Sequence, residues 1–150
     1  MLLGKVICRN WNGDILRGRI TEVEAYMPYD SACHAHRGKT ARNAPMFEPG
    51  GTAYVYLCYG IHEIFNVVSG PEGSPQGVMI RGIEGAIGPG RATKVLKIDR
   101  SLSGIDLMAS DEIWIEDDGY SFNSFEVKTR IGIDYADEVD RARLWRFVAK

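Results

Sequence analysis

Several features are scarce or missing in this 150-residue chain, and each absence excludes something. No apolar run approaches the ~20 residues of a membrane-spanning helix. The opening Met1-Leu-Leu-Gly-Lys5 is too short and too soon polar for a secretory signal. An intracellular, cytoplasmic setting without a membrane is therefore expected. The three cysteines, Cys8, Cys33 and Cys58, are odd in number and lack C-x-x-C spacing, so reduced thiols are expected. Cys33-His34-Ala35-His36 looks like half a metal cluster, yet His62 is the only other histidine. A zinc site needs three or four ligands, so no metal is expected. A Cys–His nucleophile fares no better, since sequence neighbours rarely face each other as that chemistry requires. Gly88-Pro89-Gly90 lacks the Gly-Lys-Ser/Thr ending of a nucleotide-hydrolysing phosphate loop. Excess positive charge is missing too. Lys and Arg number 18 against 20 Asp and Glu, a net charge of −2, which rules out a basic coat.

What is present fits a globular chain. Apolar residues make up 45% and charged residues 25%, and the length suits one domain spanning residues 1–150. The charge is uneven. Residues 1–100 carry 12 basic and 9 acidic side chains, hence +3, and residues 101–150 carry 6 and 11, hence −5. Six acids and no Lys or Arg lie between Asp106 and Asp118. A solvated acidic edge is the plain explanation. Any contact with a polyanion then falls to the first two thirds.

Hydrophobic patterning gives mostly strands. Lys5–Arg9 and Ile15–Tyr26 read as a hairpin about Asn12-Gly13. Residues 27–51 form a long loop rich in Pro and Gly, and loops of that length are typically functional. Thr52–Tyr59 and Ile61–Ser69 are aromatic and β-branched strands joined at Gly60. Val78–Ile83, Glu112–Glu116, Phe125–Ile133 and Leu144–Val148 complete the strands. Arg91–Ile98 is a short basic helix and Asp137–Arg143 a helical turn. The expected class is α+β (mixed), with a curved, largely antiparallel β-sheet and few short helices.

Three groups of residues draw attention. Glu24 shares a strand face with Glu22 and Tyr26. A carboxylate at a strand end can sit at a pocket mouth and take a proton from water. From this stretch alone, Glu22 and Glu24 fit a solvated strand face better. Tyr54, Tyr56 and Tyr59 form the second group. Rings two apart usually pack across strands. They can also stack nucleobases, and a tyrosine beside a hairpin glycine is shaped to wedge into a base stack. Third come the basic residues Arg37, Lys39 and Arg42 in the loop and Arg81 to Arg100 around the helix. Gly88-Pro89-Gly90 before that helix offers a weak anion-site signal that is more often punctuation.

The motifs carry a resemblance. Gly18-Arg-Ile-Thr-Glu-Val-Glu-Ala-Tyr26 resembles the "GRIVETEAY" segment of the 3-methyladenine (alkyladenine-type) DNA glycosylases. The stretch from His34 to Phe47 is similar to their H-x-x-RG-x-TPRN-x-x-MF, and Pro49 to Gly60 to their PG-x-x-YVY-x-x-YG. Asn66-Val-Val, Val78-Met-Ile-Arg81, Gly88 to Lys94, Thr129 to Tyr135 and Leu144 to Phe147 continue in the family's order. The resemblance implies a monofunctional enzyme, with no metal or organic cofactor, acting as a monomer on double-stranded DNA. Such an enzyme flips a damaged purine (3-methyladenine, hypoxanthine or similar) from the duplex and hydrolyses its N-glycosidic bond. By it, Glu24 is the base that activates water, and Arg81 lies beside that water and the target phosphate. Tyr26, His34 and Tyr56 sandwich the flipped base, and Asn66 excludes guanine by clashing with its exocyclic amine. Tyr59 wedges into the vacated stack, while Arg42, Arg91 and Lys94 contact DNA. Tyr54 supports or packs. Departures are Ala41 where the family has proline, a short start at Leu2, and a short Glu84–Gly88 connection. They bear on DNA grip and lesion range more than on chemistry.

Two rivals stand beside this reading. One is a non-catalytic nucleic-acid binding module using the same tyrosines and arginines. The other is a sugar hydrolase with Glu22 and Glu24 as paired acid and base. Their Cα atoms, ~6.6 Å apart on one strand, sit poorly for reaching opposite faces of a sugar. With a polarised charge, DNA affinity is expected to be modest and strongly salt-dependent.

Overall fold

The computed structural model describes residues 1–150. β1 (Val6–Trp11) and β2 (Asp14–Tyr26) form the expected hairpin. Asn12 and Gly13 both adopt positive φ, 52° and 91°, the backbone that a two-residue turn between twisted strands demands. A 3₁₀ turn, Ala44–Phe47, interrupts the long loop. Then follow β3 (Ala53–Cys58), β4 (His62–Val68), β5 (Gly77–Ile83), the two-residue β6 (Ala86–Ile87) and α1 (Pro89–Val95). Another 3₁₀ turn, Arg100–Leu102, precedes β7 (Ile113–Glu116), β8 (Phe125–Lys128), α2 (Glu138–Arg141) and β9 (Arg146–Ala149).

Every strand pairing is antiparallel, and the main path runs β3-β4-β5-β2-β1-β7. β6 adds to β5, and β9 pairs with β2 and carries β8 on its far side. The fold is α+β with a curled antiparallel sheet and few short helices. β2 is the organiser. Its first half pairs with β1 and its second half lies between β5 and β9.

Period-two alternation divides the apolar residues into two clusters. One contains Val23, Val55, Phe65, Ile80, Leu96 and Leu102. The other contains Tyr26, Tyr54, Tyr56, Ile64 and Met79, and the long loop closes over it with Ala32, Cys33 and Met46.

Most boundaries shift by one to three residues from those read in the sequence, and two shifts have a clear cause. The strand expected over Phe125–Ile133 ends at Lys128, because Gly132 takes φ 76° and the segment turns inward. The helix begins at Pro89 rather than Arg91, since proline fits the first helical position where its missing N–H costs nothing.

Candidate active site

Glu24 is fully buried and Glu22 nearly so, which corrects the solvated strand face that their own stretch favours. Periodicity determines which residues share a face but not whether that face is covered. The cover comes from distant segments. Ile131 N–H, 107 residues away, donates to Glu24 Oε1 at 2.9 Å. Tyr26 Oη donates to Glu24 Oε2 at 2.7 Å, and Arg81 Nη1 lies 3.4 Å from Oε1. Burial raises the Glu24 pKa above the ordinary carboxylate value, while Arg81, Tyr26 and the Ile131 amide pull against it. Two hydrogen bonds and one ion pair thus hold the carboxyl group. Each carboxylate oxygen accepts two hydrogen bonds, so Oε2 keeps one acceptor position beyond Tyr26.

Arg81 reaches Glu24 because β5 bulges there. Glu22 pairs with Gly82 and Val23 with Ile80, so Arg81 is the extra residue between them. A bulge of this kind re-aims a side chain next to a site. Arg81 Nε also lies 3.3 Å from Glu22 Oε1, which accepts from Arg146 at 3.0 Å. One guanidinium thus bridges both carboxylates. The Arg81 guanidinium pairs with both carboxylates, so the paired acid–base reading loses its geometry.

Strand register then builds the pocket. Tyr54, Asn66, Met79, Glu24 and Arg146 are successive cross-strand partners over β3, β4, β5, β2 and β9. This row and the loop wall a pocket lined by Tyr26, His34, Tyr54, Tyr56 and Asn66. His34 and Tyr56 meet with ring centroids 4.2 Å apart, and His34 Nδ1 lies 3.2 Å from Tyr54 Oη. Desolvation against these rings, helped by the Arg42 charge, lowers the His34 pKa, so the imidazole is neutral at pH 7. Burial raises Tyr54 to about 12 and lifts Tyr26 and Tyr56 well above the ordinary phenol value, so all three remain neutral donors. Asn66 spends one Nδ2 hydrogen on Tyr54 O at 3.1 Å. Tyr54, open between packing and support in the sequence, is buried and does both.

The other candidates lie outside the cavity. Tyr59 is 88% exposed at the β3–β4 tip, in the left-handed region at φ 50°, with Gly60 at φ 68°. A bulky residue in that conformation carries strain that functional sites commonly retain. Arg42 donates to Leu57 O at 2.7 Å and stacks on Tyr56, so it braces the pocket wall as well as being exposed. Arg91 and Lys94 are exposed on α1. The Gly88 N–H is spent on Arg81 O at 2.8 Å, which weakens the anion-site signal there. Cys33 is buried and His36 is exposed.

Sequence reasoning placed Thr129–Tyr135 among the family motifs but gave Arg130, Ile131 and Asp30 no role in the site. Arg130 and Asp30 form a fully buried ion pair, with Arg130 Nη2 to Asp30 Oδ1 at 3.0 Å. The same guanidinium lies 4.7 Å from the Tyr26 ring and 5.1 Å from the Trp145 ring. The signal was Gly132, a turn residue inside an apparent strand.

The charge split also changes meaning. The acidic run pairs with the first hairpin through Lys5–Asp117, Arg17–Glu116 and Arg19–Asp118. Arg37, Lys39, Arg42, Arg91, Lys94 and Lys97 are the basic residues of the first hundred without an acidic partner.

Comparison with known proteins places the chain among relatives. The methylpurine-DNA glycosylase family matches residues 1–87 and 84–150. A protein of Psychrobacter cryohalolentis is 42% identical over 91% of this chain and 79% of its own length. One from Borrelia garinii subsp. bavariensis is 42% identical over 100% and 88%. One from Methanocella arvoryzae is 41% identical over 99% and 84%. Each bears the name "Putative 3-methyladenine DNA glycosylase".

Proposed function

The chain belongs to the methylpurine-DNA glycosylase family, hydrolases of N-glycosyl bonds, and from that premise we propose that it excises alkylated or deaminated purines from double-stranded DNA. As a single domain acting as a monomer in the cytoplasm, it binds the minor groove with Arg42, Arg91 and Lys94 near the phosphates. Tyr59 enters the stack as the damaged nucleotide swings out. Extrusion costs a few kcal/mol, least for lesions that pair badly. The base then enters the cavity between Tyr26 and the His34–Tyr56 pair, with Asn66 on its floor.

Glu24 accepts a proton from water through Oε2, and the water oxygen bonds to the sugar C1′. The N-glycosidic electron pair leaves with the base. An N3-alkylated adenine carries a positive charge in DNA, so those electrons neutralise it and departure needs no acid, whereas neutral hypoxanthine departs with a proton taken from solvent water. Arg81 orients the water and neutralises Glu24 before reaction, and the carboxylate charge stabilises the oxocarbenium-like sugar. No covalent enzyme intermediate forms, and an abasic site remains.

The observation that supports this reading best is Glu24, buried and held by Tyr26, Ile131 and Arg81 beside an aromatic cavity. The test uses duplex DNA with a single 3-methyladenine or hypoxanthine, followed by alkaline strand scission. Wild type is expected to give scission, and Glu24→Gln intact strands with retained binding. Binding without scission by wild type overturns the catalytic reading in favour of a binding module. Full activity in Glu24→Gln removes Glu24 as the base.

A further inference from the structure

Tyr135 takes no part in the hydrogen bonds that hold Glu24. It lies between Gly132 and α2, 66% exposed, yet its ring lines the same cavity as Tyr26, His34 and Tyr56. Its hydroxyl donates to Ala32 O at 2.8 Å. That bond ties the C-terminal segment to the turn bearing His34, so the ring stands fixed at the cavity mouth. Its exposure distinguishes it from the buried tyrosines, which also serve the core. A side chain that links two segments and stays 66% exposed adds little to packing.

The lining contains no Lys, Arg, Asp or Glu. Selection by charge inside this cavity therefore falls to ring faces, whose negative quadrupoles attract a cation within about 6 Å of the centroid. His34 contributes to the same end, because its imidazole is neutral and does not repel a positive base. Tyr26 already has the Arg130 guanidinium 4.7 Å from its ring centroid, which reduces the attraction left for a second cation. A tyrosine at the mouth without such a partner supplies what Tyr26 has lost.

We propose that Tyr135 is a specificity-determining residue, the mouth wall of an aromatic box that favours positively charged N-alkylated purines over neutral deaminated ones. This rests on the glycosylase reading above. An N3-alkylated adenine in DNA is cationic and hypoxanthine is neutral, so the two substrates separate charge recognition from stacking.

The experiment measures single-turnover excision of 3-methyladenine and of hypoxanthine from otherwise identical duplexes by wild type, Tyr135→Phe and Tyr135→Leu. Phe keeps the ring and loses the Ala32 bond, whereas Leu keeps apolar bulk and loses the π-face. Thermal unfolding and affinity for undamaged duplex check that each variant is folded. Leu is expected to lower the 3-methyladenine to hypoxanthine rate ratio roughly 3- to 20-fold, the span of a cation–π contact, with Phe within about 2-fold of wild type. Equal losses in Phe and Leu on both substrates would mean a structural anchor and overturn the proposal, as would a Leu ratio equal to wild type. If wild type leaves both lesions intact, the glycosylase reading fails instead. Activity in wild type with an unchanged Leu ratio sinks only the role of Tyr135.

Discussion

Replacing Tyr26 with phenylalanine removes one oxygen and leaves the ring against Arg130 and the cavity. What is lost is the 2.7 Å hydrogen bond from Tyr26 Oη to Glu24 Oε2. A hydrogen bond to a charged group contributes about 1.5–3 kcal/mol, and Glu24 is buried, so solvent screening does not discount it. The bond favours only the ionised carboxylate. At about 1.36 kcal/mol per pKa unit, its loss raises the Glu24 pKa by roughly 1–2 units. Burial has already raised that pKa, so the new value lies closer to neutrality. The reacting form is the carboxylate, and the acid limb of the pH–rate profile reports it. Single-turnover excision from a 3-methyladenine duplex, followed from acid to mildly alkaline pH, is expected to show that limb displaced upward by roughly 1–2 units. Affinity for the damaged duplex should hold, because the stacking ring remains. An unmoved acid limb would refute the reasoning, since either Glu24 is not the titrating base or Tyr26 does not stabilise its charge. A loss uniform across pH would assign the Tyr26 hydroxyl to orienting Glu24 rather than to setting its pKa.

Three other outcomes follow from the geometry. Because the folded Glu24 pKa lies above its ordinary value of 4.5, its contribution to stability is present below that value and is lost as pH rises through the folded pKa. Glu24→Gln should therefore gain thermal stability on wild type as pH rises above about 4.5, and a shrinking difference would contradict the burial argument. Asp30→Ala leaves Arg130 charged and buried without its carboxylate, a cost of about 3–5 kcal/mol and roughly 10 °C in Tm, while a drop of a degree or two would show that the pair is dispensable. Three phosphate contacts through Arg42, Arg91 and Lys94 imply a slope of log affinity against log salt near −2.7 (about −0.9 per contact), and each substitution by Gln should flatten it by ~0.9; an unchanged slope in Arg91→Gln and Lys94→Gln would move the DNA face off α1.

The sequence by itself carried the hairpin at Asn12-Gly13, the strand faces and the motif order. Turn chemistry and side-chain alternation are local, so they are legible in neighbouring residues. Alternation placed Glu22, Glu24 and Tyr26 on one face, and Tyr54 and Tyr56 on another strand's single face. It could not say that these faces are one buried wall. That depended on register, which puts Tyr54, Asn66, Met79 and Glu24 in one row across four strands. Register is decided by how turns, bulges and apolar faces are satisfied together, and no stretch of sequence contains it. Tertiary structure alone decided the bulge that aims Arg81 at two carboxylates, the Ile131 amide on Glu24 and the Arg130–Asp30 pair behind Tyr26. It likewise decided that the acidic run neutralises the first hairpin and leaves the cations of the loop and α1 free. Each of these joins groups distant in the chain, where Coulombic attraction and desolvation act on separation in space and not on separation in sequence.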